Sequence, residues 1–267
     1  SYMSSGLRQR VITAICIGIP ILFLVFYSDT TRVSFLLLAG ILASHEYLKL
    51  FYAKLIKSPS GLISFLISVA LLFYATQQLE AFFIPLLSIS ILSSMVLLYD
   101  LFFNESSIQE KMPALWNILY VVLPLVLIIN LKNESSFSML LISTLLMIWI
   151  SDISAYFVGR TIGKRKLFPR VSPGKTWEGF WGAGLITVLF SYAFFSYFGV
   201  YDVRQWALIA IFVWLFGSLG DLVESKFKRS LNIKDSGNIM PGHGGILDRF
   251  DAFIFCLPFV VLLSLVL

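Results

Sequence analysis

Apolar runs of about 20 residues recur along the whole chain and constrain its fold more than any other feature. A bilayer core of about 30 Å needs about 20 apolar residues per helix. Nine runs meet this requirement, at about 11–27, 33–51, 60–77, 82–103, 114–131, 137–159, 179–199, 205–223 and 250–267. Hydrophobic residues are 58% of the 267 residues and charged residues 13%, about half the charge of a typical soluble domain. The sequence therefore predicts an all-α polytopic integral membrane protein and argues against a soluble enzyme or a nucleic-acid module.

The chain shows no internal repeat or composition shift that would divide it into independent domains. We interpret residues 1–10 as a cytoplasmic segment in which Ser1 and Tyr2, before Met3, are the remnant of an expression tag. Residues 11–267 are predicted to form a single transmembrane domain. Its parts are the N-terminal helices (11–131), a C-terminal part (137–267) and, within the latter, two long cytoplasmic loops (160–178 and 224–249).

Basic residues sort to one side of the predicted bundle. With a cytoplasmic N-terminus, all but three of the 20 Lys and Arg residues fall on the inner side, the exceptions being Arg32, Lys132 and Arg204. This bias is the one that sets membrane topology. Losing or adding one span would put the two basic loops on opposite sides of the membrane. The sequence therefore predicts nine spans with the N-terminus in the cytoplasm.

Carboxylates flank the loop 224–249. Asp221 and Glu224 are three residues apart at one helix end, and Asp248 and Asp251 repeat that spacing at the next, so each pair shares a helix face. Such groups suit Mg²⁺, which takes one or two carboxylates together with substrate phosphates. The alternatives stay open that Asp248 only caps its helix and that the basic residues form an ordinary cytoplasmic loop.

Further residues of this loop are candidates for binding the rest of a polyphosphate. Gly244 and Gly245 permit close backbone approach to a ligand. His243 is interpreted either as a phosphate or proton-transfer group or as a solvated loop residue. The basic candidates are Lys226, Lys228, Arg229 and Lys234.

The loop 160–178 offers a second constellation. Asp152 lies near the end of the preceding helix, and Ser172, Lys175 and Glu178 belong to a compact segment that we expect to bind an anion. Its Ser-Pro-Gly-Lys-Thr run superficially resembles a P-loop, but the upstream glycine of that motif is absent and no hydrophobic strand precedes it. The P-loop interpretation is therefore rejected.

Three weaker features have mainly structural interpretations. Glu46 and Asp100 each lie near the inner end of a helix, where they bind a partner helix or line a cavity. Gly182, Ala183 and Gly184 are small residues of the kind that permit close packing of membrane helices.

The residues of the second long loop carry a family resemblance. They read Ser225-x-Phe227-Lys228-Arg229, then Lys234-Asp235, then Pro241-Gly242-His243-Gly244-Gly245-Ile246-Leu247-Asp248-Arg249-Phe250-Asp251. This pattern resembles the signature of phosphatidate cytidylyltransferases, also called CDP-diacylglycerol synthases. The segments Asp152–Arg160 and Ser172–Gly179 are also similar to that family, although Gly174 stands where its members usually have Lys.

The resemblance implies that CTP and phosphatidic acid react to give CDP-diacylglycerol and pyrophosphate. Because phosphoryl-type transfer is mostly positioning and charge neutralisation, we expect Lys226 and Lys175 to hold the anionic groups in catalysis. The resemblance implies a Mg²⁺ site on Asp221, Asp248 and Asp251, with a second, monovalent cation such as K⁺. It also implies a bacterial-type inner membrane, an active site facing the cytoplasm, a possible homodimer and no nucleic-acid partner. The residues expected to contact the substrates or ions are Lys228, Arg229, Lys234, Asp235, His243, Gly244, Gly245, Ser172, Asp152 and Glu178.

Two other functions stay open at this point. A CTP-dependent lipid kinase of the polyprenol or phytol type would use similar carboxylates but would transfer the γ-phosphate. A transporter would also explain charged residues in apolar helices, although transporters place them near the midplane of the bilayer. Here the carboxylates cluster at the inner helix ends.

Overall fold

A computed structural model describes residues 20–21, 23–52, 55–77, 79–237 and 244–267. Most of the predicted first span and His243 lie outside these residues. The helices are α1 (Asp29–Phe51), α2 (Pro59–Ala75), α3 (Glu80–Phe103), α4 (Pro113–Asn133), α5 (Phe137–Ile162), α6 (Trp177–Phe195), α7 (Val203–Ser230) and α8 (Leu247–Val266). Within the described ranges, seven of these are long and apolar enough to span a membrane, while α2 has only 17 residues. The predicted all-α polytopic fold is confirmed.

Local chemistry explains where several helices begin. Ser28 and Thr31 form a capping box at α1, and Asp202 accepts hydrogen bonds from the backbone N–H groups of Arg204 and Gln205 at α7. In α4, Pro124 has no N–H to donate, and the chain forms a π-helical turn over Asn117–Val122 just before it. Capping side chains thus determine where α1 and α7 begin, and a proline accompanies the irregular turn inside α4.

The two predicted cytoplasmic loops are shorter than the sequence indicates. Helix α7 continues to Ser230, so the first residues of the predicted loop 224–249 are helical. The predicted loop 160–178 contains an antiparallel hairpin of β1 (Lys166–Phe168) and β2 (Ser172–Thr176), followed directly by α6. The hairpin was not predicted. Both segments lie at the same end of the bundle.

Helix α8 is the centre of the bundle. It packs against α1, α3, α4, α5 and α7. Every residue from Phe250 to Val261 is buried, including Asp251. A carboxylate in such surroundings is stable only with partners. The side chains that surround it therefore determine what this end of the bundle can do.

The two ends of the bundle differ in charge as the topology predicts. At the end opposite the hairpin, Lys132 donates a hydrogen bond to the carbonyl of Thr76, and Arg32 pairs with Asp29. At the hairpin end, Arg170 reaches the carbonyl of Asn104 over 2.8 Å. The predicted inner segments therefore share one end of the helices.

The predicted small-residue contact of α6 is confirmed. A Cβ atom at Gly184 would lie 2.6 Å from the indole of Trp214 on α7, and one at Gly182 would lie 2.6 Å from Val158 on α5. Real side chains do not pack at such distances. These glycines therefore set how closely α6 approaches both neighbours.

We expect Gly184→Ala to lower the free energy of unfolding by about 1–3 kcal/mol, because the added methyl group overpacks the contact with Trp214. Gly174→Ala is the control, since a Cβ atom there meets no atom within 4 Å. Thermal unfolding of both variants in detergent micelles measures the difference. Equal stabilities would contradict the assigned contact.

Candidate active site

A chain of ion pairs joins α7 to α8 at the hairpin end. Lys228 Nζ lies 2.7 Å from Glu224 Oε2, one turn earlier on α7, and 2.8 Å from Asp248 Oδ1 on α8. Glu224 is fully buried. Because the lysine contacts both carboxylates, it neutralises part of the negative charge that the two helices bring together.

The segment between α7 and α8 folds back around Asp248. The two carboxylate oxygens accept hydrogen bonds from the backbone N–H of Ser236 at 3.0 and 2.9 Å, and Oδ2 accepts another from Gly245 at 2.7 Å. Gly244 has a φ of +82°, a conformation that favours glycine. The glycines that we expected to approach a ligand therefore approach a carboxylate of the protein itself.

Lys175 links the hairpin to α7. Its Nζ atom lies 2.6 Å from Asp221 Oδ2, and Asp221 Oδ1 receives a hydrogen bond from the Ser225 hydroxyl at 3.1 Å. The two charged side chains keep 27% and 35% of their surface exposed, which is unusual among the ion pairs here. The two constellations that the sequence presents separately are thus parts of one site.

Two more carboxylates complete this cluster. Asp251 on α8 lies beside Glu224, and Asp152 on α5 is close enough to Asp221 and Asp251 for mutual repulsion. The cations within reach are Lys175, Lys228 and Arg249. Among the described residues, carboxylates therefore outnumber the neighbouring cations, and a bound cation would relieve the repulsion between them.

Not every predicted site residue belongs to this cluster. Lys226 lies outside it, because its ammonium lies 2.9 Å from Asp100 Oδ2 on α3 and both side chains are about 5% exposed or less; its contact with substrate phosphate stays a prediction. It also donates to the Asp100 carbonyl. Lys226 thus connects α7 to α3. Asp100, which the sequence treats as a minor feature, is its counter-charge.

Glu178 ties the start of the hairpin to α6. Its carboxylate accepts hydrogen bonds from the backbone N–H groups of Lys164 at 3.0 Å and Arg165 at 3.2 Å. Ser172 lies in β2 opposite Phe168. Arg229, in the last turn of α7, and Lys234 and Asp235, in the segment after it, have exposed side chains. Their contact with substrates stays a prediction.

Sequence reasoning underestimated Glu46. The residue is 4% exposed, and its Oε2 atom accepts a hydrogen bond of 2.8 Å from the backbone N–H of Leu247 at the start of α8. A carboxylate near the inner end of an apolar helix is the only signal that could have indicated this contact. Its partner lies 201 residues later.

Metal ligation by Asp221, Asp248 and Asp251 stays a prediction. Over the residues that the structure describes, no three His, Cys, Asp or Glu side chains already stand in the arrangement of a metal site. Among the described residues, Asp248 is held by Lys228 and two backbone donors, whereas Asp221 is held by Lys175 and the Ser225 hydroxyl, and Asp251 lies beside another carboxylate, Glu224. Asp221 and Asp251 are therefore the better candidates for binding a cation.

The fold and this cluster define a class: a multi-pass membrane protein with a charged site at one end of its helices. Residues 8–267 match the model of the cytidylyltransferase family. The chain is 35% identical to the phosphatidate cytidylyltransferase of Bacillus subtilis over 266 residues, covering 96% of this chain and 97% of that protein. It is also 35% identical to the Staphylococcus haemolyticus protein and 36% identical to that of Staphylococcus aureus strain COL, with 96% of this chain and 98% of each relative covered.

The chain belongs to the cytidylyltransferase family. It is therefore a nucleotidyltransferase, as the sequence motifs predict. The family resemblance, which rested on the C-terminal half, extends over nearly the whole chain.

The ion pair between Lys226 and Asp100 can be tested for a role in stability. We expect Lys226→Ala to lower the free energy of unfolding by about 3–5 kcal/mol, because it leaves Asp100 buried without a counter-charge. The double variant Lys226→Met with Asp100→Asn removes both charges and should recover most of that loss. Thermal unfolding in detergent measures it. A Lys226→Ala protein that is as stable as the wild type but inactive would instead indicate that Lys226 contacts the substrate.

Proposed function

We propose that this chain transfers the cytidylyl group of CTP to phosphatidic acid, giving CDP-diacylglycerol and pyrophosphate. The observation that carries the proposal is the contact between Lys175 and Asp221, which joins both predicted constellations into one charged site. The relatives named above are phosphatidate cytidylyltransferases, and this chain matches them over nearly their full length. A site at helix ends suits a reaction between a water-soluble nucleotide and a bilayer lipid.

The proposed site faces the cytoplasm of a bacterial cell from the inner membrane. The bias of basic residues toward the hairpin end supports this orientation. CTP would approach from the water, and phosphatidic acid would enter sideways from the inner leaflet. Arg229 and Lys234, whose side chains are exposed, would bind the outer part of an anionic nucleotide.

The cluster fits a divalent cation. Its donors are carboxylate oxygens, which Mg²⁺ prefers, and they outnumber the neighbouring cations. Among the described residues, Glu224 Oε1 is buried without a hydrogen-bond donor. Asp221 and Asp251 would hold the ion, and metal ligation by Asp248 stays a prediction. When bound, the ion would neutralise negative charge on the phosphates.

The protein's own residues mainly position and neutralise the reactants. An oxygen of the lipid phosphate attacks the α-phosphorus of CTP, and the bond from that phosphorus to the pyrophosphate oxygen breaks. The attacking oxygen is already anionic near neutral pH, so the reaction needs no dedicated general base. Lys175, which is partly exposed, would bind a phosphate, whereas the less exposed Lys228 would keep α7 and α8 in register.

Label transfer tests the reaction directly. Purified protein is incubated with Mg²⁺, vesicles containing phosphatidic acid, and CTP labelled at either the α- or the γ-phosphate. We expect label from the α-phosphate in the lipid product and label from the γ-phosphate in pyrophosphate. Transfer of the γ-phosphate to lipid would indicate a kinase, and transfer of neither label would contradict both enzyme functions.

We expect Asp251→Asn to lower kcat by about 100-fold or more, because it removes one of the carboxylates that would hold the cation, and the cation would neutralise the reacting phosphates. Asp202→Asn is the control, since Asp202 caps the opposite end of α7. Steady-state assays over a range of Mg²⁺ concentrations measure the effect, and circular dichroism checks that the protein is folded. Turnover like that of the wild type would rule out Asp251 as a ligand.

A further inference from the structure

The N-terminus of α8 is capped by a residue from another part of the chain. Ile246, which precedes the helix, provides no side-chain cap. Instead the backbone N–H of Leu247 donates to Glu46 Oε2 on α1 at 2.8 Å. A carboxylate at a helix N-terminus satisfies an otherwise unpaired donor and interacts favourably with the helix dipole. The first turn of α8 therefore depends on a side chain from α1.

The backbone between α7 and α8 is fitted around the same carboxylate. A Cβ atom at Gly245 would lie 2.5 Å from Glu46 Oε2, and one at Gly237 would lie 2.7 Å from Oε1. Gly237 and Gly245 thus both approach Glu46 at distances that only glycine permits. The position of Glu46 determines the path of the segment at two points.

This tether, the hydrogen bond from Leu247 to Glu46, acts on the start of α8, near the two carboxylates that α8 contributes to the cluster. Gly245 donates its N–H to Asp248, and Asp251 follows one turn later on the same face. A shift in the start of α8 would move both side chains relative to Asp221 and Lys228. Misplacement of reacting groups by about 1 Å can slow an enzyme by about 100-fold.

We propose that Glu46 is a positioning residue for the reaction, holding the first turn of α8 and its carboxylates in register with α7. The proposal rests on the proposed function and assigns a role to the N-terminal helices. Glu46 is not itself among the residues proposed to hold the nucleotide or the cation. It acts through its hydrogen bond to Leu247 and through its contact with Gly245.

Three variants of Glu46 separate position from charge. Glu46→Ala and Glu46→Asp both withdraw the acceptor from Leu247, and we expect each to lower kcat by about 10–100-fold, as the loss of a supporting contact does at other sites. Glu46→Gln keeps a carbonyl oxygen at the right reach and should stay within about threefold of the wild type. The KM for phosphatidic acid should change by about twofold or less in all three, because Glu46 does not contact the lipid.

Asp202→Ala is the matched control. It also removes a carboxylate cap from a long helix, but at the opposite end of the bundle. We expect it to lower the melting temperature about as much as Glu46→Ala does and to leave kcat unchanged. If Glu46→Ala does not fold, Glu46→Asp, which keeps the charge, provides the comparison.

Hydrogen exchange provides a readout that does not depend on activity. We expect the backbone amides of residues 245–248 to exchange at least about tenfold faster in Glu46→Asp than in Asp202→Ala, because local opening frees the Leu247 N–H. Equal exchange, or a kcat of Glu46→Asp equal to that of the wild type, would overturn the proposal. A wild-type protein that transfers no cytidylyl group would instead refute the proposed function, and the exchange comparison would still test the tether.

Discussion

The hydrogen-bonded chain from Glu224 through Lys228 to Asp248 is the constraint on which this end of the protein depends. Burying a carboxylate among apolar helices is costly unless a cation and further donors surround it. One lysine serves two carboxylates on different helices, so α7 and α8 cannot move apart without leaving charges unpaired. The same arrangement makes Asp221 and Asp251 the better candidates for binding a cation.

The N-terminal helices stabilise this arrangement from the other side. Asp100 on α3 pairs with Lys226, which lies between Glu224 and Lys228 on α7, and Glu46 on α1 caps α8. Both acids come from the inner ends of their helices. The two helices that carry the proposed site are thus each bonded to a charged residue of the first half.

Hydropathy was enough to predict the helices that the structure describes, and charge bias was enough to predict that the two basic loops share one end of them. The spacing of Asp221 with Glu224 and of Asp248 with Asp251 also placed each pair on one helix face correctly. The role of Lys226 stays a prediction, but its side chain points away from Glu224 and Lys228 and contacts Asp100 on α3. A basic residue next to a phosphate-binding motif has the same local signal whether it faces a ligand or a buried acid. The partners of Glu46 and Asp100 lie 201 and 126 residues away, beyond any local pattern.

The position of Lys175 shows how packing far from the charges determines the site. Thr176, the next residue, caps α6 by accepting a hydrogen bond from Gly179, and a Cβ atom at Gly179 would lie 2.7 Å from the carbonyl of Ala155 on α5. The absence of a side chain at Gly179 therefore lets the start of α6, and with it the end of the hairpin, lie directly against α5. Only from that position does Lys175 reach Asp221 on α7. Close packing at Gly179 thus determines where the ammonium group of Lys175 lies relative to the carboxylate of Asp221.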